Sequence, residues 1–386
     1  MTLTDSDHCH DDESWMRKAL TLAVCGEGHV EPNPMVGCVL VKDGQLIGQG
    51  DHQKFGGPHA EVEALRSLAS AADAESATAY VTLEPCCHFG KTPPCSEALI
   101  RAKVARVVIA MQDPFPKVAG GGLQQLRDAG VEVTVGVLQA EAEALNAPYL
   151  KRLREGLPWV IAKWAMTIDG RVATTTGESQ WISGPESRRH VHQLRGRVDA
   201  ILVGMGTVLA DDPMLNARAT DESGKPIDPP RVAKRMVFSR GRLPPVDSKL
   251  VQSAKQIPTY LFTSPFVDPD ERQRLEDRGI VCYAENYDIQ KILRLCAEGF
   301  DGQQPATNLM VEGGPTLMAS LLGESAEQCL IDEIHAYVGP KLFGGASAPG
   351  PVLGSGIERL DRVPLFRLSQ VDQFDQDVRM IYRRSL

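Results

Sequence analysis

A histidine, a glutamate and two cysteines stand in this chain where together they can do metal chemistry. His59-Ala60-Glu61 is followed by Pro85-Cys86 and, nine residues after that cysteine, by Cys95. One imidazole and two thiolates supply three zinc ligands and leave the fourth tetrahedral position to water, the arrangement of a catalytic rather than a structural site. Glu61 lies two residues from His59, near enough to reach that water without being a ligand. The pattern is that of zinc-dependent deamination, in which activated water attacks an amino-bearing ring carbon and a glutamate shuttles protons. A bare His-x-Glu is common by chance; the same triplet with Pro-Cys and a further cysteine close behind is specific. The bland alternatives are ordinary buried cysteines or a closed zinc knuckle.

These residues need elements to hold them. Trp15, Ala19, Leu22 and Ala23 predict a helix opening near Ser14, and 36–41 and 45–50 predict two strands joined by Asp43-Gly44. Helix is expected over 61–69, 96–103, 123–129 and 140–154, and strand over 79–83, 104–111 and 131–137. The alternation implies an α/β layer structure on a largely parallel sheet. Glu61 and both cysteines then fall near strand- or loop-to-helix junctions, where the helix dipole favours carboxylate and thiolate. Residues 1–13 read as a disordered acidic tail, 14–153 as the zinc domain and 154–158 as a linker. Residues 159–386 form a second domain, opened by a strand over 159–166 and carrying a polar, proline-rich loop at 219–231.

At 386 residues the chain exceeds what one core usually serves. Its net charge of −9 argues against a general nucleic-acid binder, because binding a polyanion relies on lysine and arginine neutralising phosphates. No apolar run approaches the ~20 residues of a membrane span. The N-terminus is polar and acidic, without the basic and apolar regions of a secretion signal. Nine cysteines with no regular spacing fit a reduced, cytoplasmic location better than a disulfide framework.

The longer motifs carry a resemblance. The first half reads Asn33-Pro34-Met35-Val36-Gly37-Cys38, then Pro58-His59-Ala60-Glu61-Val62-Glu63-Ala64-Leu65, then the run from Tyr80 through Glu84-Pro85-Cys86-Cys87-His88-Phe89-Gly90-Lys91-Thr92-Pro93-Pro94-Cys95. The second half reads Met166-Thr167-Ile168-Asp169-Gly170-Arg171, Gly177-Glu178-Ser179-Gln180-Trp181-Ile182, Leu202-Val203-Gly204, the run from Thr207 to Pro213, and Val311-Glu312-Gly313-Gly314-Pro315-Thr316-Leu317. Together these closely resemble the bifunctional deaminase–reductases of riboflavin biosynthesis, over about residues 14 to 385. The resemblance implies an α/β chain: an N-terminal cytidine-deaminase-like three-layer αβα domain and a C-terminal dihydrofolate-reductase-like α/β domain. It implies deamination of 2,5-diamino-6-(5-phosphoribosylamino)pyrimidin-4(3H)-one to 5-amino-6-(5-phosphoribosylamino)uracil. NADPH-dependent reduction to 5-amino-6-(5-phosphoribitylamino)uracil follows. One Zn2+ per chain and NADPH are the cofactors implied. Small phosphoribosylaminopyrimidines are the expected partners, without nucleic acid or membrane, and a homo-oligomer is the expected assembly.

Residue by residue, the resemblance assigns the metal to His59, Cys86 and Cys95 and the proton shuttle to Glu61. Cys87, where the family usually has serine, is left out. Asn33, His88 and Lys91 match deaminase substrate positions; alone, Lys91 reads as an exposed loop lysine and Asn33 as a turn former before Pro34. Ala165, Trp181, Thr207, Asp211, Ser239 and the run Gly314, Pro315, Thr316, Leu317, Met318, Ala319 and Ser320 match NADP-contacting positions. Ser179, Arg195, Leu215, Arg218 and Glu312 match substrate-contacting ones. Taken alone, Glu312-Gly313-Gly314-Pro315-Thr316 is either a phosphate-facing turn at a helix start or a simple strand-to-helix turn. Asp211-Asp212-Pro213 is read as a helix-ending turn, not a metal pair. Lys163 either stabilises charge at the reacting sugar, holds a cofactor group, or faces outward. Three departures stand near the expected sites: Phe115 where asparagine is usual, Gly121 where a lysine or arginine is common, and Phe238 where aspartate is usual.

Two other readings compete. A nucleic-acid base deaminase is opposed by the acidic charge and by eight residues between the cysteines, where that signature has two. A zinc scaffold without catalysis has no need of Glu61 beside the open position.

Overall fold

The computed structural model describes residues 5–89, 93–221, 223–300, 302 and 304–385. The chain divides into two compact units, Met1–Glu155 and Gly156–Leu386. Among the described residues no helix is long and apolar enough to cross a membrane.

The first unit runs α1 (Asp5–Ala23), β1 (Gly37–Lys42), β2 (Gln45–Asp51), α2 (Ala60–Arg66), β3 (Thr78–Val81), α3 (Cys95–Arg101), β4 (Arg106–Ile109), α4 (Gly121–Asp128), β5 (Glu132–Val135), α5 (Gln139–Leu145) and α6 (Ala147–Glu155). The sheet order is β2-β1-β3-β4-β5. Period-2 alternation splits the core into two faces. Cys38 and Leu40 join Ala60, Ala64, Leu99 and Leu126 on one side, while Val39 and Val41 join Met16, Ala19 and Leu150 on the other. Helices therefore cover both faces, giving three layers.

Three expectations are corrected. The sheet is mixed: β3, β4 and β5 are parallel, but β1 pairs antiparallel with β2 and with β3. The cause is the turn Asp43-Gly44, both residues at positive φ (52° and 72°), which closes a tight hairpin. The segment read as a disordered tail is helical from Asp5, and residues 1–4 lie outside the described residues. Buried Asp12 accepts two 2.8 Å hydrogen bonds from Arg106 of β4 and one from Tyr80 of β3, which anchors the acidic end on the sheet. The helix expected over 140–154 is two, interrupted at Asn146. Its buried amide is spent on the backbone of Met35, accepting from N–H and donating to C=O at 2.9 Å each.

The second unit runs β6 (Trp159–Thr167), α7 (Pro185–Arg195), β7 (Ala200–Gly204), α8 (Met205–Asp211), β8 (Lys234–Phe238), α9 (Lys249–Gln252), β9 (Thr259–Thr263), α10 (Pro269–Glu276), β10 (Ile280–Ala284), α11 (Ile289–Glu298), β11 (Asn308–Glu312), α12 (Pro315–Leu322), β12 (Glu333–Gly339), β13 (Phe366–Phe374) and β14 (Asp377–Arg384). The order is β10-β9-β8-β7-β11-β6-β12-β14-β13. It is parallel from β10 to β12 and antiparallel at β14 and β13. Its central strands are apolar on both faces, as a sheet covered on both sides requires. Ala200 and Leu202 face one core, Ile201 and Val203 the other. In such sheets ligands bind beyond the carboxyl ends of the strands. Register aligns those ends: Glu312 of β11 pairs with Lys163 of β6, and Gly204 of β7 with Phe238 of β8.

Candidate active sites

In the first unit His59 is the N-cap residue of α2, and Cys95 is the first residue of α3. Cys86 lies on the loop after β3. His59 Nδ1 stands 3.5 Å from Cys86 Sγ and 3.3 Å from Cys95 Sγ. All three ligand atoms lie within 4.8 Å of one another, the one such His/Cys/Asp/Glu group among the described residues. Tetrahedral zinc with ordinary Zn–S and Zn–N bonds spaces its ligand atoms about 3.5–3.8 Å apart, so the triangle fits the ion. Glu61, buried and only 3% exposed, has an Oε2 without a hydrogen-bond partner. A buried carboxylate oxygen left open beside a metal triangle is placed to take a proton from water there and hand it on. Burial raises its pKa to about 7. Hydrogen bonding from the Cys95 thiol, with His59 assisting, lowers Cys86 to about 4, while Cys95 itself is pushed well up. One proton is thus shared between two thiols that would both be thiolates on zinc.

The triangle opens into a cavity of about 310 Å³ that Asn33 and His88 also line. Lys91 lies outside the described residues. Cys87 points away, its Sγ 3.6 and 3.8 Å from the carbonyls of Lys117 and Val118. The departures at Cys87 and Gly121 belong together: a Cβ at Gly121 would stand 2.7 Å from Cys87 Sγ. Phe115 forms a wall of the cavity, its ring 6.3 Å from that of His88.

Two residues here escape the sequence reading. Buried His52 lies edge-on to His59 at 5.2 Å. Its Nδ1 is 2.9 Å from the Pro58 carbonyl, which fixes the proton there and leaves Nε2 to accept from the Asn33 amide at 3.3 Å. The Asn33 carbonyl oxygen is the group left for a ligand. Buried Glu84 accepts from the backbone N–H groups of Asp113, Gly120, Gly122 and Leu123, pinning the loop that carries Phe115. Each role is set by chain segments meeting in space, and no local motif announces it.

In the second unit a cavity of about 1320 Å³ lies at the carboxyl ends of the parallel strands. It is lined by Ala165, Trp181, Thr207, Asp211, Ser239, Gly314, Pro315, Thr316, Leu317, Met318 and Ser320, and by Ser179, Arg195, Leu215, Arg218 and Glu312. Ala319 does not line it; its Cβ faces Gly354. Gly313 and Gly314 both have positive φ, 71° and 73°, and added Cβ atoms would come within 3.2 and 3.3 Å of Thr207 Oγ1. The glycines let the start of α12 close on Thr207 of α8, the approach a side chain at either position would block.

Glu312 is the electrostatic centre. It accepts a fork from Arg195 at 2.6 and 2.9 Å, and Lys163 Nζ lies 3.5 Å away. Burial works to raise the Glu312 pKa, but Arg195 and Lys163 overcome it and hold the group at about 2. Burial lowers the pKa of Lys163. Arg195 is therefore committed to Glu312, while Arg218 has no carboxylate partner among the described residues. Lys163 lines the cavity, which removes the outward-facing alternative. Asp211 accepts from Ser179 and Gln180 at 3.5 and 3.4 Å, whereas Asp212 accepts from the Lys249 N–H at 2.8 Å and pairs with its Nζ. Trp181 is exposed, with the Arg188 guanidinium 4.5 Å over its ring.

Comparison with known proteins agrees with this division. Residues 158–380 match the family model described as the RibD C-terminal domain, and 9–111 match the cytidine and deoxycytidylate deaminase zinc-binding region. The chain is 42% identical over 373 residues to the riboflavin biosynthesis protein RibD of Escherichia coli, covering 95% of this chain and 98% of that one. It is 40% identical to that of Actinobacillus pleuropneumoniae, over 99% of this chain and 96% of the relative. A solved structure of Acinetobacter baumannii RibD superposes with a TM-score of 0.84 at 39% identity, covering 98% and 100% of the two chains. A Thermotoga maritima diaminohydroxyphosphoribosylaminopyrimidine deaminase/5-amino-6-(5-phosphoribosylamino)uracil reductase does so at 0.79 and 31% identity, with the same coverage. A metal triangle with an open glutamate in one unit, a cavity at the strand ends of the other, and near-complete matches to proteins built the same way lead to one conclusion: the chain belongs to the RibD family of bifunctional riboflavin-biosynthesis deaminase–reductases.

Proposed function

We propose that the first unit converts 2,5-diamino-6-(5-phosphoribosylamino)pyrimidin-4(3H)-one and water to 5-amino-6-(5-phosphoribosylamino)uracil and ammonia. The second reduces that product to 5-amino-6-(5-phosphoribitylamino)uracil with NADPH. The observation that carries the first step is the His59–Cys86–Cys95 triangle beside the partnerless Oε2 of buried Glu61. Those three residues would hold zinc, which would supply Lewis acidity that lowers the pKa of water. Glu61 takes the proton from water and delivers it to the leaving amino nitrogen. Asn33, its amide nitrogen engaged by His52, offers its carbonyl oxygen to ring donors.

In the second unit NADPH supplies a hydride. The Gly313-Gly314 turn and the start of α12 would hold its phosphates, and Lys163 would stabilise charge developing on the sugar oxygen. Arg218, which lines the cavity and has no carboxylate partner among the described residues, is the cation proposed for the substrate phosphate. The unpaired cysteines among the described residues support a reducing, cytoplasmic setting. Edge strand β13 leaves Leu368 and Val371 exposed, which supports a homo-oligomer. The test is ammonia release from the diaminopyrimidine without nicotinamide, abolished by zinc chelation and restored by zinc. Ammonia release that survives complete zinc removal would refute the reading of the first unit.

A further inference from the structure

We infer that His192 is a further residue of the reductase substrate site. Its Nδ1 fixes the segment that carries Leu215 and Arg218, and its Nε2 is the donor that meets the substrate phosphate beside Arg218. This rests on the reading of the second cavity as the phosphoriboside site.

Leu215 and Arg218 stand on a stretch, 212–219, with neither helix nor strand to hold it. Leu215 is nevertheless buried with φ 48°, a left-handed conformation that a leucine keeps only where its surroundings fix it. Helix α7 supplies the fixing groups. His192 and Arg195, three residues apart, share one face of that helix, and both line the cavity. Arg195 Nη1 donates to the Asn216 carbonyl at 3.4 Å, and His192 Nδ1 lies 3.1 Å from the same oxygen. The Arg218 N–H approaches that ring nitrogen at 3.2 Å. Arg195 is itself forked onto Glu312 of β11. A continuous set of bonds therefore runs from the sheet, through α7, to the backbone of Arg218.

The two backbone groups ask opposite things of Nδ1. The Asn216 carbonyl needs a proton on it, and the Arg218 N–H needs it bare. Either tautomer of a neutral ring keeps one of these bonds, and with Nδ1 bare the Asn216 carbonyl still has Arg195. Burial, with Arg195 and Arg218 adding to it, lowers the His192 pKa to about 4, so the resting ring is neutral at pH 7. With Nδ1 committed to the chain, Nε2 is the nitrogen left for the cavity that the residue lines. An anion there selects the tautomer with its proton on Nε2, and in that tautomer Nδ1 accepts from Arg218. Phosphate binding and ordering of the Arg218 backbone thus favour the same state of one ring. Arg218 is exposed on the cavity wall with no carboxylate partner among the described residues. It supplies the charge, and the His192 N–H adds a directed bond without a further buried cation beside Arg195.

The test compares 5-amino-6-(5-phosphoribosylamino)uracil with its dephosphorylated riboside as substrates of the intact protein, with NADPH. His192→Asn keeps a polar atom near the place of Nδ1 and none near Nε2; His192→Gln does the reverse. His192→Asn should lower kcat/KM for the phosphoriboside by about tenfold or more, through KM rather than kcat, the range for a lost bond to a charged group. For the riboside the fall should be less than about threefold, because no phosphate is there to lose. His192→Gln should keep the parent's preference for the phosphorylated compound to within about threefold. KM for NADPH should hold in both variants, which also shows that the second unit is folded. The parent's full preference in His192→Asn, an equal loss on both substrates, or His192→Gln no better than His192→Asn would overturn the assignment while leaving the reductase reading standing. So would a loss confined to NADPH. A parent that reduces neither compound would overturn the reductase reading and this assignment with it.

Discussion

Glu312→Gln isolates the electrostatic centre of the second unit. The residue is buried, 6% exposed, and its carboxylate is bonded by a fork from Arg195, with Lys163 3.5 Å away. The substituted amide keeps the shape and removes the charge, leaving two buried cations with no counter-ion. Breaking a buried pair from one side costs about 3–5 kcal/mol. Lys163, its pKa already lowered by burial, can shed its proton and relieve part of that, so the lower end, about 3 kcal/mol, is expected. For a unit of this size each kcal/mol moves Tm by about 2–4 °C, giving a fall of about 6–12 °C. The pH dependence has a definite sign. The folded pKa of Glu312 lies below its unfolded value, so its stabilisation is complete above an unfolded pKa of about 4.3 and is lost as pH falls toward about 2. The variant should lack that part of the acid slope. Adding Arg195→Met should return some of the loss. The assay is differential scanning calorimetry at pH 7 and at steps below pH 5, following the transition that zinc chelation leaves in place. A fall below about 2 °C at pH 7, or the parent's full acid slope in the variant, would refute the reasoning.

Glu61→Gln should lower ammonia release by about 10² to 10⁴, retain zinc, and leave reduction of the pre-deaminated substrate unchanged; elemental analysis and separate assays of the two steps decide it. Cys86→Ser/Cys95→Ser should lose the zinc that the parent carries at about one per chain. Full occupancy in that variant, measured by mass spectrometry of the metal, would remove the assignment. Gly121→Ala should cost about 1–3 kcal/mol, the usual range for overpacking, because its Cβ would meet Cys87 Sγ at 2.7 Å. Cys87→Ser added to it should recover part of that in urea melts, and strictly additive losses would show that the two positions are not coupled.

The metal site is legible because residue type and spacing define it locally: His59, Glu61, Cys86 and Cys95 carry their chemistry wherever the helices start. The hairpin at Asp43-Gly44 is legible for the same reason, although its consequence, a mixed sheet, depends on how β1 pairs with distant β3. What escapes depends on pairings distant in sequence. Asp12 is held by Arg106 and Tyr80, and only a finished sheet brings them together. Asn146 breaks a good helical pattern because its amide is worth more against Met35 than in a continued helix. His52 orients Asn33 through a tautomer set by Pro58. Arg195 is expected at the substrate, since nothing local shows that β11 places Glu312 against it.

The most direct measurement of the two-step account is mass identification of products from the diaminopyrimidine phosphoriboside incubated with the intact protein. Without nicotinamide cofactor the product should be the phosphoribosylaminouracil, one amino group replaced by oxygen. With NADPH it should be the phosphoribityl compound, two hydrogens heavier. A product with two added hydrogens and its amino group still in place, or a deaminated product that never gains hydrogen when NADPH is supplied, would contradict the order and division of labour argued from the two sites.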